Sequence, residues 1–328
     1  MRTVNVYLPG MIRGGRKERV RADRKVGLAA PGKKKKVNIK PYLFLAVPVL
    51  LLIWWIYRPM LETLRYSFYD WNMIPGTQAR FVGLQNFVKL FTNKDFGTAV
   101  VNTLVYIVGM LPFSVVIPIF LSVATQGLKE RTKRIYRAIF FIPMIMAPVA
   151  VSTIFQWLLH PSNGLVNHVL QILGITENNI SFFADERYAR GMIILISGWK
   201  MVGFATLMFS SALSGIDKQY YEAAALDGAG KLQSFFHITL TMISPTIMMM
   251  LMMCVLFSSQ WTMAYIDVLT QGGPYGSSTN IYYLIYKFAF KDMNVGTCAA
   301  AAGLFMIVFG ILALILQRIS TKVAFYDN

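Results

Sequence analysis

The chain alternates long apolar blocks with short polar segments, and the lengths of those blocks predict helices that cross a membrane. A hydrocarbon layer about 30 Å thick takes about 20 residues of α-helix. Six blocks come close to that length. The first runs from Tyr42 to about Ile56 and continues through Arg58 and Pro59 toward Tyr66. Trp54, Trp55, Tyr57, Tyr66, Phe68, Tyr69 and Trp71 crowd its far end, as residues of a membrane–water boundary do. The others cover about 97–124, 138–159, 191–213, 243–267 and 297–317. Pro143 and Pro148 interrupt the third block. Prolines in a membrane helix free backbone groups that neighbours must satisfy. This helix is therefore expected to pack inside the protein or beside a cavity. Pro161, Asn163, Gly164, Asn178 and Asn179 mark the polar interval 160–190 as turns and loop. The Tyr- and Phe-rich stretch 279–292 predicts a helix lying at the interface. The expected fold class is an all-α integral membrane protein built as a bundle of about six transmembrane helices.

Charge then orients the bundle. Arg13, Arg16, Lys17, Arg19, Arg21, Arg24, Lys25 and the run Lys33–Lys36 fill residues 1–41. A second basic group, Lys129, Arg131, Lys133, Arg134 and Arg137, lies between the second and third blocks. The positive-inside rule places both in the cytoplasm. An even number of spans agrees, because it puts both termini on that side. Glu177, Asp185 and Glu186 make the interval 160–190 more acidic, which suits the outer face. The organisation read from this pattern is a basic cytoplasmic tail (1–41), a membrane domain (42–318) and a short cytoplasmic tail (319–328). The charged first forty residues are too long for a cleavable signal peptide.

Composition closes off other classes. The chain of 328 residues is 55% hydrophobic and only 14% charged. A soluble domain needs about 25% charged residues to cover its surface. The net charge of +17 could suit a nucleic-acid ligand. Its basic residues, however, sit beside apolar blocks, where topology explains them. Cys254 and Cys298 form no CxxC pattern, and His160, His168 and His237 are scattered, so no metal site is expected. No paired acids or activated nucleophile suggest an enzyme. Glu62 and Asp267 lie near block ends, which leaves no intramembrane acid to couple ions in a secondary transporter. A channel or membrane scaffold working without an ATPase stays as the rival of a different class.

The segment 214–242 carries the most information. Tyr221-Glu222-Ala223-Ala224-Ala225-Leu226 favours a helix, Gly228 and Gly230 allow a left-handed exit, and Leu232–Leu240 predicts a second short helix. Adjacent alanines give a surface with little bulk, which another protein could approach closely. Glu222, Ala223 and Ala224, then Gly228 four places on, then Ile238 and Leu240, resemble the EAA loop of binding-protein-dependent ABC importer permeases. Thr241 stands where that signature normally ends in Pro, and Pro245 follows shortly after. The likeness extends over about 42–322. Phe81-Val82-Gly83-Leu84-Gln85-Asn86-Phe87 is similar to the family's outer-loop pattern. Leu269-Thr270-Gln271-Gly272-Gly273-Pro274 resembles the first permease subunit of maltose, multiple-sugar and glycerol-3-phosphate importers.

The resemblance implies a coupling helix in a cytoplasmic EAA loop, formed by Glu222, Ala223, Ala224, Gly228, Ile238 and Leu240. It implies a second homologous permease, two ATPase subunits that bind ATP and Mg, an extracytoplasmic solute-binding protein, and a bacterial inner-membrane location. No catalytic residue and no cofactor are expected in this chain itself. The cargo implied is a carbohydrate, with an oligosaccharide first and an anionic cargo such as a uronate oligosaccharide or glycerol-3-phosphate as the alternative. Polar residues facing a bundle interior mark transport sites. On that ground Gln156, Ser197, Lys200, Ser258, Gln260, Trp261 and Tyr265 are the substrate-lining candidates. A lysine at mid-membrane costs about 2.5–3.5 kcal/mol, so Lys200 needs either a structural partner or contact with water or an anionic cargo.

Overall fold

A computed structural model describes residues 40–72, 74 and 76–325. Residues 1–39 of the expected basic tail therefore lie outside the described residues. Backbone contacts divide the chain into Met1–Leu52 and Ile53–Asn328. In the first unit, α1 (Lys40–Leu52) is a run of Leu, Val, Phe and Ala with Pro48 inside it. Its large apolar side chains are exposed, as a lipid-facing helix requires. The helical stretch Tyr42–Tyr66 is long and apolar enough to cross a membrane.

The second unit begins with a π-helical turn, Ile53–Tyr57, followed by α2 (Arg58–Tyr66). A two-residue antiparallel ladder follows, β1 (Tyr69–Asp70) against β2 (Arg80–Phe81), with Tyr69 opposite Phe81. Then come α3 (Gln85–Thr92), α4 (Lys94–Leu111), α5 (Ile117–Gln126), α6 (Glu130–Ile145) and α7 (Pro148–Leu158). Next are α8 (Leu165–Ile172), α9 (Glu186–Ser214), α10 (Lys218–Leu226) and α11 (Lys231–Ser234). The chain closes with α12 (Leu240–Met242), α13 (Ser244–Tyr265), α14 (Ile281–Tyr286) and α15 (Val295–Val323). Among the described residues, five helical stretches qualify as membrane spans, or six if α6 and α7 count as one.

That sixth span corrects the sequence reading. The block 138–159 is not one straight helix: α6 and α7 meet at 94°. The cause is Pro148, which disfavours helical backbone at the residue before it. Ala147 and Met146 are both extended, with ψ of 135°. The last span also runs on to Val323, so residues 319–323, expected in the C-terminal tail, are helical. Helices α3 and α8 occupy intervals read as loops. Each is only 8 residues long, too short to announce itself by periodicity.

Helix α9 is the axis of the unit. It packs on α4, α5, α6 and α13. Met110, Ile119, Met201, Phe209, Ile243, Met250 and Cys254 form the principal core between these helices. In lipid such cores are held by close van der Waals fit rather than by expulsion of water, which favours small residues at helix contacts. Gly203 shows this: a Cβ there would run into the carbonyl oxygen of Phe140 on α6. Helix α15, by contrast, turns Ile307, Val308, Ile311, Leu314 and Ile315 outward, a lipid-facing stripe.

Four buried asparagines fasten the ends of the helices away from α10. Asn86 donates to the carbonyls of Ser67 and Tyr69 at 2.9 Å each. Asn102 donates to Gly276 and Thr279, and its oxygen accepts from Arg190 at 2.9 Å. Asn167 joins His160, Pro161 and Ile180. Asn280 caps α14 and donates to Ser259 and Thr262 on α13. Lys291 sits nearby, 2.8 Å from the Tyr283 hydroxyl and 3.4 Å from Asp267. The tyrosine contact, helped by the Asp267 charge, holds its ammonium above the usual lysine value.

Candidate functional site

Two regions gather the residues singled out by sequence. The first is the bend at the C-terminal end of α9. Asp217 caps α10, accepting from the Gln219 amide at 3.0 Å. The helix ends in a Schellman motif: Ala229 N–H donates to Ala224 O at 2.9 Å, and Gly228 N–H donates to Ala225 O at 3.1 Å. Gly228 has φ of +80°, a left-handed conformation that costs an L-residue about 1–2 kcal/mol. Gly230 departs from the expected left-handed exit. Its φ is −73° and it serves as the extended residue before α11. The second helix is composite, with α11, a π-helical turn at Phe235–Thr239, and α12. The Tyr221 hydroxyl meets the Thr239 hydroxyl at 2.9 Å and ties the two arms together.

The motif residues divide between two faces of this bend. Glu222, Ala223 and Gly228 are exposed, and Leu226 beside them is 90% exposed. Ala224 is half-buried and gives its carbonyl to the turn. Ile238 is half-buried, and Leu240 packs with Phe235 against the principal core. One half of the signature thus anchors the bend and the other half presents it.

The second region is a cavity of about 450 Å³ in the elbow between α6 and α7. Ser197, Lys200, Gln260, Trp261 and Tyr265 all line it, together with Met146 and Pro148. Lys200 Nζ donates to the Met146 carbonyl at 2.6 Å. That carbonyl is one of the groups the proline break sets free. Among the described residues no carboxylate pairs with Lys200. The Ser197 and Tyr265 hydroxyls are buried without a partner. Trp261 stacks on Phe257 at 5.9 Å.

The two remaining candidates lie elsewhere. Ser258 is fully buried and does not line the cavity. Gln156 lines a different pocket at the far end of α7, and its amide donates to the Val268 carbonyl at 3.1 Å. Sequence reasoning missed the backbone at Met146 and Ala147 as cavity wall, although Pro148 was its signal. It also missed the helix-fastening role of the buried asparagines, for which Asn102, an amide within the apolar run 99–111, carried a signal.

The fold and these regions define a multi-pass membrane protein with a cavity at the α6–α7 elbow and an exposed helical bend at one end. The chain belongs to the family of binding-protein-dependent transport system inner membrane components, which it matches over residues 90–323. It is 30% identical over 289 residues to the probable ABC transporter permease protein YurN of Bacillus subtilis, covering 86% of this chain and 96% of that one. It is likewise 30% identical to the sn-glycerol-3-phosphate transport system permease protein UgpA of Pectobacterium atrosepticum, covering 86% and 95%. A crystal structure of a bacterial ABC transporter involved in the import of the acidic polysaccharide alginate contains a chain of the same fold. The TM-score is 0.76 at 25% identity, over 87% of this chain and 97% of that one.

Proposed function

We propose that this chain is one of two permease subunits that line the path of a carbohydrate through an ABC importer. An extracytoplasmic binding protein delivers the cargo, and two ATPase subunits, which bind ATP and Mg, drive the cycle. The chain itself catalyses no reaction. Both termini and the bend at 214–242 lie in the cytoplasm. Glu222, Ala223 and Gly228 meet a groove of the ATPase, while Ile238 and Leu240 hold the bend to the bundle. ATP-driven closure moves the bend, and the bundle switches between inward-open and outward-open states. Cargo contacts Ser197, Lys200, Gln260, Trp261 and Tyr265, with the indole against a sugar face and amide and hydroxyl groups on ring hydroxyls.

The observation that carries this reading is the short exposed helix α10, whose alanine face and Gly228 turn project from the bundle. A cysteine placed at Ala223 should crosslink to an ATPase subunit that co-purifies with the chain, and ATP should change the yield. No ATPase partner, or no crosslink, would refute it. The unpaired charge of Lys200 favours an acidic saccharide over a neutral one. Uptake of a uronate oligosaccharide, compared with its neutral counterpart, tests that second point.

A further inference from the structure

We propose that the pocket at the C-terminal end of α7 is a second saccharide subsite, occupied before cargo reaches the elbow cavity. The proposal rests on the carbohydrate reading above and adds a site to it. The pocket encloses about 550 Å³ and is walled by α7, the turn that follows it, and the segment before α9. It lies at the opposite end of α9 from α10. With 29 residues in α9, the two ends are about 43 Å apart.

Its lining has the chemistry a sugar requires, a flat aromatic face ringed by donors and acceptors in fixed positions. Trp157 is 74% exposed, so its indole face is open. His160 is held in one tautomer. Its Nδ1 accepts the backbone N–H groups of Ser162 and Asn163, each at 3.3 Å. In the neutral ring the proton then sits on Nε2, which remains as a donor. Gln156 gives its amide N–H to Val268, which leaves its oxygen as an acceptor. Asn163 and Ser181 add further polar groups on the same wall.

The wall is also rigid, as a subsite needs. Asn167 is 2% exposed, and its amide reaches the carbonyls of His160, Pro161 and Ile180 at 3.0 to 3.2 Å. Its oxygen accepts the Ile180 N–H at 3.1 Å. At Gly164, a Cβ would stand 2.6 Å from His160 N and 2.7 Å from Leu158 O, so the turn closes as tightly as glycine permits. An interfacial anchor explains a lone tryptophan. It does not explain a histidine locked as an Nε2 donor in a walled pocket beside it.

The two cavities lie along one helix. Pro148 at the start of α7 lines the elbow cavity and Gln156 lines this pocket. Eight residues of helix separate them, about 12 Å. A linear oligosaccharide of a few rings reaches from one to the other; a single glycerol phosphate does not.

The test uses the full importer with its binding protein in nanodiscs and proteoliposomes. The probes are maltotriose, xylotriose, trigalacturonate and glycerol 3-phosphate. Trp157 is followed by 19F NMR with fluorotryptophan, assigned through Trp157→Phe. A transported trisaccharide should shift that resonance. Trp157→Ala should raise the half-saturating cargo concentration about tenfold, as loss of one aromatic contact would, with the maximal rate within about twofold. Trp157→Phe, which keeps an aromatic face, should restore most of the loss. An unshifted resonance with a transported trisaccharide overturns the subsite, as does a loss confined to the maximal rate. Transport of glycerol 3-phosphate alone overturns the carbohydrate reading itself.

Discussion

Replacing Lys200 by methionine should leave the protein folded and inserted but release the elbow. Two terms of opposite sign meet at this side chain. The hydrogen bond from its ammonium to Met146 O, 2.6 Å long, is worth about 1.5–3 kcal/mol as a charged bond. Holding a lysine at membrane depth costs about 2.5–3.5 kcal/mol. Methionine removes both, so net stability should change by no more than about 2 kcal/mol. The elbow responds differently. The cost of the charge is common to bent and straightened forms, whereas the bond to Met146 exists only when the carbonyl is turned out at the 94° break. The bent form alone therefore loses about 1.5–3 kcal/mol, a shift of about 10- to 150-fold against it. Spin labels at the exposed positions Ile135 on α6 and Ile154 on α7, with Cys254 and Cys298 replaced, read the angle directly. A broadened or lengthened distance distribution in Lys200→Met, narrowed again in Lys200→Gln, is the expected result. An unchanged distribution in a well-folded Lys200→Met protein would refute the latch.

Other perturbations separate the anchoring and presenting parts of the molecule. Gly228→Ala, forced to φ of +80°, should weaken the turn by about 1–2 kcal/mol and speed hydrogen exchange at the Ala229 amide. Glu222→Lys should leave insertion intact and uncouple ATP hydrolysis from uptake; equal coupling in mutant and wild type would count against α10 as the contact. Gly203→Val should abolish the close approach of α6 and α9, seen as loss of the folded peak in detergent gel filtration, because its Cβ collides with the Phe140 carbonyl. Asn167→Ala leaves three carbonyls and one N–H without their amide partner. At about 1–3 kcal/mol for each buried orphan, the segment 160–185 should become open to protease while the spans stay protected.

The spans were legible because membrane helices declare themselves by length and apolarity. The α10 bend was legible because Glu222, Ala223, Ala224 and Gly228 stand at fixed spacing near the end of a long helix. The elbow was half legible. Pro148 announced a break, but the carbonyl that Lys200 would reach depends on how α6 and α9 pack, and Gly203 alone did not reveal that. Ser258 shows the opposite failure. A polar residue in an apolar span suggests a place on the path, yet Ser258 on α13 is fully buried in the protein. Residue type gives polarity, but facing follows from packing, and in a helix buried on most sides periodicity holds little record of it.

π-helical turns interrupt or adjoin several helices of the bundle, whereas α9 contains none. From Lys200 to Ser214, α9 is uninterrupted, about 21 Å of helix that ends at the α10 bend. Helix α13 ends in a π-helical turn, Ile266–Thr270, and the π-helical turn of the bend, Phe235–Thr239, precedes it across α12. Such turns interrupt the regular hydrogen-bond ladder and recur at functional sites. In the proposed cycle a push on α10 would travel along the uninterrupted α9 toward Lys200, at the elbow. The π-helical turn at the end of α13 would let Gln260, Trp261 and Tyr265, on the facing wall, stay behind. If α10 is the ATPase contact proposed above, the cavity lies between the element that would transmit motion and the element that would absorb it, and a displacement at the bend should change the width of the cavity rather than its position.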